Sequence, residues 1–165
     1  MTALSESGCR ANMNIRQLFQ HAEIKLLKGT VAAGTDVSVV TDPAEIDMLG
    51  YDSVAIIASL GAIATGGTFT MNVKNSATSG SYGSGSIDNI GSAQVNSADT
   101  DDNKFIIKEV FKPQRRYLRV QYQRETGNVT INNIVAILFN AKDTQTPLTE
   151  VEAIAYLNSP TPSAT

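Results

Sequence analysis

Residues Tyr117–Phe139, YLRVQYQRETGNVTINNIVAILF, carry the clearest signature of the fold. In the first part, Leu118, Val120 and Tyr122 alternate with Tyr117, Arg119, Gln121 and Gln123, the period of two that marks a strand with one buried face. In the second part, Val129, Ile131, Ile134 and Val135 lead into the apolar Ala136–Phe139. Asn132-Asn133 interrupts the alternation as a β-bulge would. Thr126-Gly127-Asn128 has the composition of a tight turn, so the stretch reads as two strands, Tyr117–Arg124 and Asn128–Phe139, joined by that turn.

Upstream, Lys104–Phe111 reads as a further strand, set off by the polar Asp99–Asn103. Thr68–Val73 alternates cleanly, with Phe69, Met71 and Val73 on one side. Ser53–Leu60 (SVAIIASL) is a nearly continuous apolar run, suited to a strand covered on both faces. Gly66-Gly67 between these two strands is a hairpin signal. Thr30–Val40 is rich in β-branched residues, with Gly34 and Asp36 marking a turn and Val37–Val40 a short strand. Asn75–Gly91, which contains NSATSGSYGSGS, has too few apolar residues to pack and reads as a long surface loop. Strands at short spacing without intervening helices predict an all-β, antiparallel β-sandwich over residues 29–142.

Two amphipathic arms flank that domain. In residues 1–28, a polar leader precedes Ile15, Leu18, Phe19, Ala22 and Leu26, which share one face at helical spacing; from Glu23 onward an extended reading serves equally. In residues 143–165, Leu148, Val151, Ile154 and Ala155 share a helical face. Thr146-Pro147 stands where a cap and first helical residue belong, and Glu150 and Glu152 lie near the positive end.

Composition narrows the function. The chain has 165 residues, 13 Lys and Arg, 16 Asp and Glu, and a net charge of −3. A protein that binds by neutralising phosphates would be strongly basic, so nucleic acid is not an expected partner. No apolar run reaches the roughly 18 residues that a membrane helix needs, and the leader Met1–Arg10 has neither a basic start nor an apolar run, so no secretory signal is expected. A lone cysteine, Cys9, cannot form an internal disulfide. Synthesis and folding in a cytosol follow as the expectation.

The chemistry-bearing residues are sparse. His21, the single histidine, falls on the polar side of the first arm with no triad partners in view. With one His and one Cys, an ordinary zinc set is not expected. Asp99-x-Asp101-x-Asn103 matches the start of a calcium loop, but Lys104 stands where the glycine belongs and Val110 where the bidentate glutamate belongs. Gly61–Gly67 lacks the lysine of a phosphate cradle, and Asn128-Val129-Thr130 is a chance glycosylation pattern. No cofactor, metal or catalytic residue is expected, and the chain reads as a non-enzyme. The clustered charge is basic: Lys104, Lys108, Lys112, Arg115, Arg116, Arg119 and Arg124, read as a solvated face and turn, as a docking patch for an acidic protein surface or, against the sparse aromatic interleaving of Tyr117 and Tyr122, as a nucleic-acid patch.

Four segments, LGYDSVAIIASLGAI (Leu49–Ile63), GGTFTMNVKNS (Gly66–Ser76), TDDNKFIIKEVFKPQRRYLRVQYQ (Thr100–Gln123) and TGNVTINNIVAILFNAK (Thr126–Lys142), resemble in order the small head decoration, or capsid cement, proteins of tailed bacteriophages. The resemblance implies a jelly-roll-like sandwich on the outside of an icosahedral shell, bound where major capsid subunits meet and acting as a homodimer or homotrimer. The arms depart from that family pattern. The expected interface residues are Ile15, Leu18, Phe19 and Leu26, with Arg115 and Arg116 as a polar rim. The alternative is a receptor- or carbohydrate-binding sandwich of a phage tail or fibre, which calls for a concave face of aromatics and amides; five Tyr and no Trp make that a weaker match.

Overall fold

The computed structural model describes residues 22–40, 44–82, 90 and 95–141. Among these, the chain is all-β: eight strands form one antiparallel sheet, with a single 3-10 turn at Asp99–Asp101 and no α-helix. The strands are β1 (Glu23–Lys28), β2 (Val31–Val40), β3 (Ile46–Asp47), β4 (Tyr51–Ile63), β5 (Thr68–Ser76), β6 (Val95–Ser97), β7 (Phe105–Phe111) and β8 (Tyr117–Ala141).

The sheet is organised around β8, which runs for 25 residues. Along one of its edges, β4 pairs with Val129–Ala141 and β5 with Tyr117–Glu125. Along the other, β1, β2 and β3 follow in turn from Leu138 to Tyr117. β7 adds outside β4, and β6 outside β5.

Neither expected hairpin forms. The two parts of β8 do not pair with each other across Thr126-Gly127-Asn128. β4 and β5 do not pair across Gly66-Gly67 either, but run in the same direction along β8. Both turn sequences lie opposite each other at one break in the ladder, between the Ile63↔Val129 and Thr68↔Glu125 pairs. Thr126 (φ 67) and Gly66 (φ 79) take left-handed conformations there. Residues able to adopt positive φ serve a corner as well as a reversal.

Distance then fixes the bend. Straight, 25 residues at about 3.3 Å each would span roughly 80 Å. Yet Tyr117, at one end of β8, pairs with Asp47, and Ala141, at the other end, pairs with Tyr51. Asp47 and Tyr51 are four residues apart, a reach of at most about 14 Å. β8 therefore doubles back at its middle.

Burial follows the bend. Leu118, Val120, Tyr122 and Arg124 are buried before the corner; Val129 and Ile131, and then Ile134, Ala136 and Leu138, are buried after it. The alternation changes phase twice, at the corner and at Asn132. Ser59↔Asn133 is followed by Leu60↔Ile131, which leaves Asn132 as the extra residue of the expected bulge. Its side-chain amide donates to the Leu60 carbonyl (3.0 Å), and its own carbonyl accepts from the Thr30 hydroxyl (3.1 Å). Residues from both parts of the sheet, including Val54, Ile56, Leu60, Phe69, Met71, Val73, Ile131 and Leu138, form a single buried cluster. Phe69 stacks on Tyr122 with centroids 6.0 Å apart.

Two boundaries move. Glu23–Lys28, expected in the first arm, is a sheet strand paired with β8. The four-residue spacing of Ala22 and Leu26 fits a helix face, but Ile24 and Leu26 also alternate, and the pairing with Val135 and Ile137 settles it. Val31–Val40 is one irregular strand with three register shifts in place of the turn expected at Gly34 and Asp36.

Candidate functional site

The sheet has a second face. Between the buried residues of β7 (Ile106 and Val110), the alternate positions Phe105, Ile107 and Phe111 are 65%, 62% and 65% exposed. Directly paired residues in an antiparallel ladder share a side, so the register carries this face inward strand by strand. Ile107 pairs with Ile57, Ile57 with Val135, and Val135 with Leu26, which is itself 54% exposed. The next row is Glu109, Ala55, Ile137 and Ile24, and a third is Phe111, Ser53 and Phe139. The result is a largely apolar face over these three rows, about 13 Å long and at most about 15 Å wide from strand dimensions, with the charged Glu109 in its second row. The most exposed apolar residues on this side of the sheet are Phe105, Ile107, Phe111 and Leu26. Ser53 alone breaks the third row, and its hydroxyl accepts from the Asn140 amide (2.9 Å).

The rim is polar. Among the described residues, β7 pairs with β4 alone and so forms an edge of the sheet. Lys104, Lys108, Glu109 and Lys112 lie along or beside it, the placement by which edge strands resist uncontrolled pairing. Burial lowers the Lys108 ammonium below its ordinary pKa, because that side chain lies on the inner side opposite Ile56. The Lys112 ammonium sits 5.2 Å over the Phe111 ring.

The interface residues expected from sequence divide three ways. Leu26 joins the apolar face, as a strand residue. Ile15, Leu18 and Phe19, with His21, Cys9 and the whole of residues 142–165, lie outside the described residues. Arg115 and Arg116 are placed in the exposed turn between β7 and β8, at the end of the sheet near Phe111. Arg116 is committed within the chain: its Nε and one terminal nitrogen donate to the two Asp47 oxygens (2.7 and 2.6 Å). Those bonds hold the Asp47 carboxyl below its ordinary pKa, against the opposing effect of burial.

The basic cluster is likewise dispersed. Arg124 is buried at the corner and donates to the carbonyls of Ala32 (2.7 Å) and Val129 (2.8 Å). Arg119 lies 4.5 Å over the Tyr82 ring. Tyr82, Ser79 and the Gly80 N–H all donate to the Glu45 carboxylate, tying residues 79–82 to the start of β3. Lys104 pairs with Asp101. The acidic turn has structural partners too: Asp101 accepts from the Ala98 N–H, and Asp102 from the Ile63 N–H (2.7 Å). Among the described residues, no group of three or more His, Cys, Asp or Glu side chains is placed to hold a metal ion.

The sequence reading missed Phe105, Ile107 and Phe111. The signal was present: in FIIKEVF both alternating positions carry apolar residues, so one set had to face away from the core. No protein-family model matches this chain, and no curated protein matches it.

Proposed function

We propose that this chain is a non-enzymatic structural module that binds other protein surfaces through the apolar outer face of β1, β8, β4 and β7. The observation that carries this reading is the cross-strand row Leu26–Val135–Ile57–Ile107, flanked by exposed Phe105 and Phe111. Burying exposed apolar area contributes about 25 cal/mol per Å² before ordering costs, and backbone already paired in a sheet has little left to order.

The finer architecture in this proposal is a β-sandwich of jelly-roll-like topology. Its support is the doubling back of β8, which turns the inner sides of β4–β7 and β5–β6 toward one shared core. The finer function rests on the resemblance of residues 49–142 to head decoration proteins. The chain would sit on the outside of a tailed-phage capsid at joints between major capsid subunits, as a homodimer or homotrimer, and stabilise the shell. Many copies on a lattice multiply a modest interface. The test is to mix the purified protein with undecorated shells and sediment them. A fixed number of copies per shell is the expected result, and absence from the pellet at saturating concentration would overturn the capsid assignment.

A further inference from the structure

β7 offers a backbone edge as well as a face. The Leu60 N–H donates to the Lys104 carbonyl (3.0 Å) and the Lys112 N–H to the Asp52 carbonyl (2.7 Å). Between these two bonds the β4–β7 register runs without a shift. Hydrogen-bonded pairs alternate in an antiparallel ladder, so Ile106, Lys108 and Val110 direct their backbone groups to β4. The N–H and C=O groups of Phe105, Ile107, Glu109 and Phe111 point the other way, where β7 has no neighbouring strand among the described residues. Side chains follow the same parity. Phe105, Ile107, Glu109 and Phe111 are exposed on the outer side, whereas Ile106 and Val110 are buried and Lys108 is half-buried on the inner side.

We propose that this edge takes an extended segment of another protein as an added antiparallel strand, one that presents a carboxylate to Lys108 and a cation to Glu109. Strand addition draws its affinity from main-chain bonds and its selectivity from alternate side chains. The two charges exclude a second β7 as the added strand. Directly opposite residues share a side of the sheet, so wherever two copies of β7 continue one sheet, even-numbered residues meet even-numbered ones. Lys108 and Glu109 differ in parity and never meet. Every such register instead brings both copies of Lys108 to one side of the joint and both copies of Glu109 to the other. A strand of different sequence matches both charges at once. Burial lowers the Lys108 ammonium below its ordinary pKa, and a facing carboxylate offsets that cost. Apolar residues opposite Phe105, Ile107 and Phe111 then widen the outer face by one strand. This assignment rests on the reading of β7 as a docking strand, but its experiment contains no shells, so the edge and the capsid assignment can each fail alone.

The probe is the peptide Thr-Ile-Thr-Lys-Glu-Val-Thr-Val-Thr, which runs antiparallel to residues 112–104 and sets its lysine against Glu109 and its glutamate against Lys108. Fluorescence anisotropy with the full-length chain should show saturable binding below about 1 mM. Hydrogen exchange read by NMR should slow about ten-fold or more at the amides of Phe105, Ile107, Glu109 and Phe111, while those of Ile106, Lys108 and Val110, already turned to β4, change little. A peptide with its lysine and glutamate exchanged should bind about ten-fold weaker or worse. N-methylation of the lysine and of the valine facing Ile107, whose N–H groups point at β7, should abolish binding. N-methylation of the threonines facing Ile106 and Val110, whose N–H groups point away, should leave it. Every peptide meets the native chain, so no result depends on a variant folding. Absence of saturable binding, equal binding by the exchanged peptide, or binding without slowed exchange at the outward amides would overturn the edge assignment. So would slowed exchange there in the unmixed chain that is lost on dilution, which would give the edge to a second copy.

Discussion

Gly67 and Gly127 touch backbone to backbone: a methyl placed on Gly127 would lie 2.7 Å from the Gly67 nitrogen and 2.8 Å from its Cα. On Gly67 a methyl would meet the Ala64 carbonyl at 2.8 Å. The two glycines let the β4–β5 connection and the middle of β8 cross closely enough for the Ala64 N–H to reach the Asn128 carbonyl (2.8 Å). The corner that folds the sheet on itself is built from that contact.

Gly127→Ala should therefore destabilise the fold by about 2 kcal/mol or more, because neither neighbour is a flexible side chain that can give way. The urea midpoint checks this. Gly29→Ala, where nothing lies within 4 Å, is the control and should shift the midpoint little.

That contact also shows where the sequence stopped being informative. Alternation placed Phe69, Met71, Val73, Leu118, Val120 and Tyr122 on the buried side, and all are buried; the interruption at Asn132 was legible as a bulge. What could not be read was the partner of each strand. Gly66-Gly67 and Thr126-Gly127-Asn128 permit positive φ, and a local pattern does not say whether that freedom reverses the chain or bends it. Only the long-range register, Tyr51↔Ala141 through Ser76↔Tyr117, distinguishes the two. For the same reason Arg124 looked like one more surface cation, whereas the corner draws it inside.

Arg124→Met should cost about 2–3 kcal/mol, since the Ala32 and Val129 carbonyls lose a charged donor in a buried place. The loss should show in the urea midpoint with little change in the far-ultraviolet spectrum at low denaturant.

Asn132→Ala should cost about 1 kcal/mol, the usual net value of the hydrogen bond it gives to the Leu60 carbonyl. Hydrogen exchange should quicken first around Ser59–Leu60 and Thr30, the partners of the bulge.

Acid should loosen the end of the sheet. Burial alone would raise the Glu45 carboxyl, but hydrogen bonds from Gly80, Tyr82 and Ser79, with the charge of Arg119, bring it below its ordinary value; Asp47 is lowered by Arg116. Folded-state values below the unfolded ones give stability that is present above the ordinary carboxylate range, about pH 4, and lost as pH falls through the lowered values. The melting temperature should hold from pH 7 to about 5 and fall below about 4, with a smaller fall in Glu45→Gln/Asp47→Asn. An equal fall in that variant would assign acid sensitivity elsewhere.

Whether the row from Leu26 to Ile107 is a docking face can be decided by one comparison. Phe105→Ser/Ile107→Lys and the native chain are titrated in parallel onto undecorated shells, with bound copies counted by sedimentation. Both residues are exposed, so the unfolding free energy from urea titration should stay within about 0.5 kcal/mol of native, while shell binding should weaken ten-fold or more, about 1.4 kcal/mol. Equal binding by a folded variant would refute the docking face.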